Sequence, residues 1–339
     1  MKKLVTCGFC LLLMTTLATS AFAASLKFPD LDSANKLQDD FGGNKDKKSE
    51  NKTFFTIADK SEYKLTSGDV ANIKHEGKVY VTATADDIYT FQAGLNYEVK
   101  TKASKESEKW EMENLWLQAK LNKATIVRGG KQTYHLAKGL LIDQDGVMGL
   151  RSIYNPDKNN AAEYFNGRDS QDVDITTSGT MRSLQVLNLA HKFSKQLHLG
   201  TYFANQETTT GTSHNRFQGG YGKIEIAPKT NINFEYLRNT TLSATGYVAE
   251  LQNGNNKKLG GWSYGLDYMK VDANTFETND YTDFDTQYAT PKYGFKGPGV
   301  IVSNRVTKHS TLQFQRWWGR QMVGNGAIPI SKLLLVVNF

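Results

Sequence analysis

The sequence predicts an all-β chain: one antiparallel β-barrel that crosses a membrane with about 16 strands, 14 being the alternative count. Three observations predict it. Apolar and polar residues alternate at period 2 over segments long enough to span a bilayer. Very short connections alternate along the chain with longer polar ones. The amino terminus reads as an export signal, and the last residues form an apolar strand that stops on Phe339.

The amino terminus sets the compartment. Lys2 and Lys3 form a charged region, residues 4–17 a short apolar one, and Ala21-Phe22-Ala23 a small-x-small cleavage site. Residues 1–23 are therefore expected to be a cleaved signal peptide. Removing Lys2 and Lys3 lowers the formal charge from +7 to +5. Both cysteines, Cys7 and Cys10, lie inside this segment, so the exported chain has no disulfide and no thiolate metal site. Residues 24–52, with the charged run Asn44 to Lys52, read as a polar leader, disordered or periplasmic. The barrel is expected over 53–339.

Apolar content of 39% and a mean hydropathy of −0.50 exclude a bundle of membrane helices. They do not exclude a barrel, because lipid-facing and lumen-facing residues alternate and average out. Prolines are few (6), as ladders that need every N–H require. Tyr (16) and Phe (17) are plentiful, as interfacial girdles require.

The first strand lies within 52–74 and is poorly marked. Residues 77–85 form a strand, and Asp86-Asp87 a tight turn. The clearest strand follows: Tyr89, Phe91, Ala93, Leu95, Tyr97 and Val99 alternate with polar neighbours, of which Gln92, Asn96, Glu98 and Lys100 are expected to face the lumen. Leu115, Leu117, Ala119 and Leu121 lead to a turn at Asn122-Lys123. Strands at Val147–Tyr154 and Ala161–Arg168 raise the count from 14 to 16. Further strands follow short turns: Leu197 to Phe203, Ile232 to Tyr236, Trp262 to Tyr268, and Leu312 with Phe314. Longer polar connections are expected at 103–109, 136–145, 170–180, 209–214, 272–297 and 323–327. The connection near Ser243 is short where a long one is expected. In the last strand Leu333, Leu335, Val337 and Phe339 should face lipid, and Lys332 and Asn338 should face inward.

With a carboxy-terminal Phe closing the final strand, the chain resembles the outer-membrane porins of Gram-negative bacteria. That resemblance implies a passive channel for small hydrophilic solutes and ions, a homotrimer in outer-membrane lipid, and a terminal aromatic, Phe339, read by the barrel assembly machinery. The run 124–132, which contains Arg128-Gly129-Gly130-Lys131-Gln132, resembles the porin strand that leads into an infolded constriction loop, with Lys131 at the place of a pore-facing arginine. The loop is then expected near 136–146, with Asp143 and Asp145 opposing basic wall residues. Lys131, Arg151, Arg168 and Arg305 are the wall candidates, with Arg128 beside them. Arg128 and Lys131 fall on opposite faces at period 2, so both reach the lumen only with a bulge at Gly129-Gly130. Basic residues in a channel favour anions, so a weak anion preference is expected.

The six histidines show no HExxH spacing, and no Gly-x-Ser-x-Gly element or phosphate loop is present. No cofactor, metal or nucleic acid is expected. A channel selective for sugars or organic acids, and an outer-membrane barrel enzyme, remain the alternative readings.

Overall fold

A computed structural model of the chain describes residues 52–66, 72–102, 105–168, 183–207, 214–276, 293–324 and 326–338. The expected signal peptide (1–23), the expected leader up to residue 51 and Phe339 lie outside the described residues, and Lys52, expected in the leader, opens the first strand. Sixteen strands form among those described. They are β1 (Lys52–Thr66), β2 (Asn72–Ala85), β3 (Tyr89–Lys102), β4 (Lys105–Lys120), β5 (Thr125–His135), β6 (Asp143–Tyr154), β7 (Asn160–Arg168) and β8 (Ser183–Lys192). Then come β9 (Leu197–Glu207), β10 (His214–Ala227), β11 (Thr230–Asn239), β12 (Ala244–Gly254), β13 (Trp262–Val271), β14 (Phe295–Arg305), β15 (Ser310–Gln321) and β16 (Ala327–Asn338).

Each strand pairs antiparallel with its neighbours in sequence, and β1 pairs with β16 from Ala58↔Asn338 to Thr66↔Ile330. The sheet is therefore a closed barrel, whose ladder N–H and C=O groups bond to neighbouring strands rather than to lipid. The poorly marked first strand is β1, and the alternative of 14 strands is excluded.

Strand periodicity sorts the side chains cleanly. In β8, Leu184, Val186 and Asn188 are buried, while Leu187 and Leu189, at the alternate positions, are each 41% exposed on the outer face. The same outer face carries Phe91, Leu95, Leu117, Leu150, Phe203, Tyr236, Leu251, Leu266, Phe314, Leu333 and Leu335. Exposed apolar side chains encircle the barrel, far beyond what a water-soluble surface carries. Asn96 is buried on the inner face as expected, with Leu95 outside.

Two expectations about connections change. The polar connection at 103–109 does not exist as a long loop, because β3 and β4 continue their ladder to Lys102↔Lys105. The short connection at 240–243 is a turn capped by Asn239, whose side-chain oxygen accepts from the backbone N–H groups of Thr241 and Leu242 at 3.0 and 3.1 Å. That cap lets β11 and β12 join without a long loop.

The core sits inside the barrel. Residues 136–142, between β5 and β6, are folded inward: Leu136, Ala137, Leu140, Leu141 and Ile142 are all buried. They cluster with inner side chains of β7 to β14, among them Phe165, Val186, Tyr202, Phe217, Leu237 and Phe295. Trp317 packs against this cluster from inside, while the next residue, Trp318, is exposed on the outer face.

Candidate functional site

The infolded segment and the wall it meets make the site. Glu235, on β11 between the outward Phe234 and Tyr236, points inward and is 1% exposed. Its Oε2 accepts from the backbone N–H groups of Lys138 and Leu140 at 2.8 and 3.1 Å, and its Oε1 accepts from the Tyr202 hydroxyl at 2.6 Å. One carboxylate thus receives three donors and fixes the tip of the segment against the wall. The Lys138 ammonium lies 2.5 Å from Glu250 of β12, and Asn233 of β11 donates its amide to the same Glu250 oxygen at 3.1 Å. Asp267 of β13 stands directly across from Glu250 in the ladder and is buried.

The facing wall carries the arginines. Arg128 and Arg151 are partners in the β5–β6 ladder. Arg128 donates to Gln118 at 2.7 and 3.1 Å and lies 4.0 Å over the Trp116 ring. Arg151 makes a two-pronged pair with Glu163 of β7 at 2.9 and 3.0 Å and lies 5.1 Å over Tyr134. Tyr134 in turn stacks on Phe165 at 4.4 Å, so the base of the infolded segment is clamped between a guanidinium and a ring.

The remaining site residues fall elsewhere. Asp143 and Asp145, at the start of β6, do not oppose the far wall. Asp143 contacts its ladder partner His135. Asp145 accepts from Thr133 at 2.7 Å and pairs with Lys78 of β2 at 3.0 Å. Lys78 also contacts Glu113, to which Tyr80 donates at 2.6 Å. Lys131 is the last residue of β5 paired with β4, and its ammonium reaches Glu111 at 3.1 Å. The register runs unbroken from Arg128 to Gln132 and shifts only after it, so no bulge separates Arg128 from Lys131. Gly130 takes φ 125° instead, and a side chain there would meet the Leu115 carbonyl.

Arg168 is not on the inner wall. It pairs with Met148, which is exposed on the outer face, and shares parity with Tyr164 rather than with the buried Phe165. Arg305 has inner parity, but it lies at the strand end, donating to Thr311 at 3.0 Å and to the Lys308 carbonyl at 2.6 Å. The expected polarity is therefore reversed. The infolded segment brings a lysine, and the wall it touches brings the carboxylates.

Reasoning on sequence missed Lys138, Glu235, Glu250, Asp267 and Glu113. Glu113 did leave a signal. It shares the parity of Leu115 and Leu117, so an unbroken strand would send a carboxylate into lipid. The β3–β4 register instead steps from Gly94↔Asn114 to Leu95↔Met112, leaving Glu113 as the extra residue of a bulge, 4% exposed.

No protein-family model matches the chain, and no curated protein matches it. Among solved structures it is similar to OprB of Pseudomonas putida in its high-pH structure, at 8% identity and a TM-score of 0.60, over 85% of this chain and 94% of that one. The low-pH structure of the same protein matches at 10% identity and a TM-score of 0.55, over 95% and 100%. A triple-mutant porin of Rhodopseudomonas blastica matches at 8% identity and a TM-score of 0.54, over 85% and 100%. Likeness at such identity is likeness of fold.

Proposed function

We propose that the chain is an outer-membrane porin through which small hydrophilic solutes and ions diffuse passively. The observation that carries this reading is the closed sixteen-stranded wall with its belt of exposed apolar side chains on the outside. A wall of that many strands encloses more space than its own side chains fill. The infolded segment occupies the side of β7 to β12, where the inner residues are buried. The passage runs beside β15, whose inner residues Gln313, Gln315 and Trp317 are half-buried, as is Lys332 opposite Gln315 on β16.

The basic wall residues are largely matched: Arg151 by Glu163, Lys131 by Glu111, Lys78 by Glu113 and Asp145. These pairs weaken the basis for an anion preference. The compartment is the bacterial outer membrane, reached through cleavage of residues 1–23 and assembly through Phe339; the apolar belt and the export-type amino terminus support this. A homotrimer is the proposed state. Arg316 supports it: on the outer face between Phe314 and Trp318, it donates to Ser331 at 2.5 Å. Lipid disfavours a guanidinium there, and a neighbouring subunit would cover it.

The test is a planar bilayer holding the refolded chain. Stepwise, ohmic conductance increments are expected; a bilayer that stays silent at high protein would overturn the porin reading.

A further inference from the structure

Five inner positions lie side by side in one row around the barrel. Asn233 of β11 pairs with Glu250 of β12, Glu250 with Asp267 of β13, Asp267 with Gly299 of β14, and Gly299 with Trp317 of β15. The Trp317 ring covers Gly299, since a side chain there would meet the ring at 2.5 Å. The row thus ends on an indole face beside Asp267.

Two acceptors in this row have no partner among the described residues: Oδ1 of Asp267 and Oδ1 of Asn233, on residues 7% and 1% exposed. A buried carboxylate oxygen without a donor is costly. Glu250 takes both its Lys138 and Asn233 bonds on Oε2. Its Oε1 turns the other way. Oε1 of Glu250 and Oδ1 of Asp267 lie 3.3 and 3.9 Å from the point where a Gly265 side chain would begin, so both converge over that glycine. Of these two adjacent carboxylates, Glu250 carries the Lys138 ammonium, and Asp267 Oδ1 is left without a donor among the described residues.

We propose that this row is a binding site for a primary ammonium group carried by a permeating solute, so that the channel selects small aliphatic amines. The reading rests on the porin function above and names a substrate class for it. The ammonium N–H groups donate to Asp267 Oδ1 and Glu250 Oε1, and its charge lies against the Trp317 face. A bare metal ion fits less well: among the described residues no three His, Cys, Asp or Glu side chains gather closely enough to hold one. An ammonium on a flexible chain spans acceptors that a metal's short bonds do not. The tether of Lys138 shows the chemistry, because an ammonium already sits on Glu250.

The probe is putrescine, with its fully methylated bis-quaternary analogue as the control of equal charge and no N–H. Putrescine is expected to interrupt single-channel current and to bind the detergent-solubilised barrel in calorimetry. Asp267→Asn, which keeps size and removes charge, is expected to weaken both by about tenfold. The quaternary analogue is expected to do neither. Equal block by both compounds, or block and binding unchanged in Asp267→Asn, would overturn the site; water alone would then meet the two acceptors. A silent bilayer with intact calorimetric binding would overturn the porin reading and leave the site standing.

Discussion

Lys138 and Glu250, 112 positions apart, hold each other at 2.5 Å inside the barrel, with side chains only 8% and 6% exposed. A pair this buried contributes less to stability than to position. The desolvation of both ions offsets most of their attraction, but removing one strands the other. Here it fixes where the infolded segment lies in the lumen.

Lys138→Ala is therefore expected to destabilise the barrel by about 3–5 kcal/mol, seen as a lower temperature of heat-modified migration on a gel. Single-channel current should become larger and noisier as the segment loosens. Replacing both partners, Lys138→Met with Glu250→Leu, should recover most of the stability. A Lys138→Ala barrel as stable as the parent would show that the segment is held by its apolar contacts alone.

Gly219 lets the same anchor form. A side chain at Gly219 would begin 2.0 Å from Cζ of Tyr202, the residue that donates to Glu235. Gly219→Ala must push the ring aside and is expected to cost about 1–3 kcal/mol, read as a lower urea midpoint. Gly220→Ala, with its nearest neighbour at 3.7 Å, is expected to leave the midpoint in place. If both variants behave alike, strand glycine content and not the Tyr202 contact governs the wall.

The outer stripe was legible in the sequence because period 2 is a property of one strand at a time. Phe91, Leu95, Leu333 and Leu335 could be assigned from their neighbours alone. The site was not, because it depends on lateral register. Nothing within 232–236 says that Glu235 will meet the backbone of Lys138. Nor does the run around Asp267 say that Glu250 will stand beside it. Parity corrects one of the wall candidates and misleads at one carboxylate. Arg168 has outer parity by simple counting from Phe165. Glu113 escapes its outer parity through a bulge, which a carboxylate at a lipid-facing position signals but does not locate. The acidic pair Asp143 and Asp145 was visible, but its partners His135, Thr133 and Lys78 are local or on β2, so the expected field across the lumen does not come from it.

Arg151 tests the guanidinium clamp. Its planar fork meets both oxygens of Glu163 while its face covers Tyr134. Lysine keeps the charge but supplies neither the fork nor the flat face. Arg151→Lys is expected to cost about 1–3 kcal/mol in urea unfolding, because a charged hydrogen bond and a ring contact are lost together. A midpoint equal to the parent's would mean that charge alone balances Glu163.

The assignment of inner and outer faces is open to a direct comparison. Leu187 lies mid-strand on β8, 41% exposed, flanked in the ladder by Tyr164 and Phe203. If lipid surrounds it, Leu187→Arg should cost about 2–4 kcal/mol in folding into vesicles, the penalty of a guanidinium at bilayer depth. Gln315, on the inner face of β15 opposite Lys332, gives the contrast. Gln315→Arg should fold with a yield near the parent's and shift the reversal potential toward anions, since it adds a fixed positive charge to the passage. The two results constrain each other. Equal folding yields would mean that the face of Leu187 is not in lipid, and an unmoved reversal potential would mean that ions do not pass along β15.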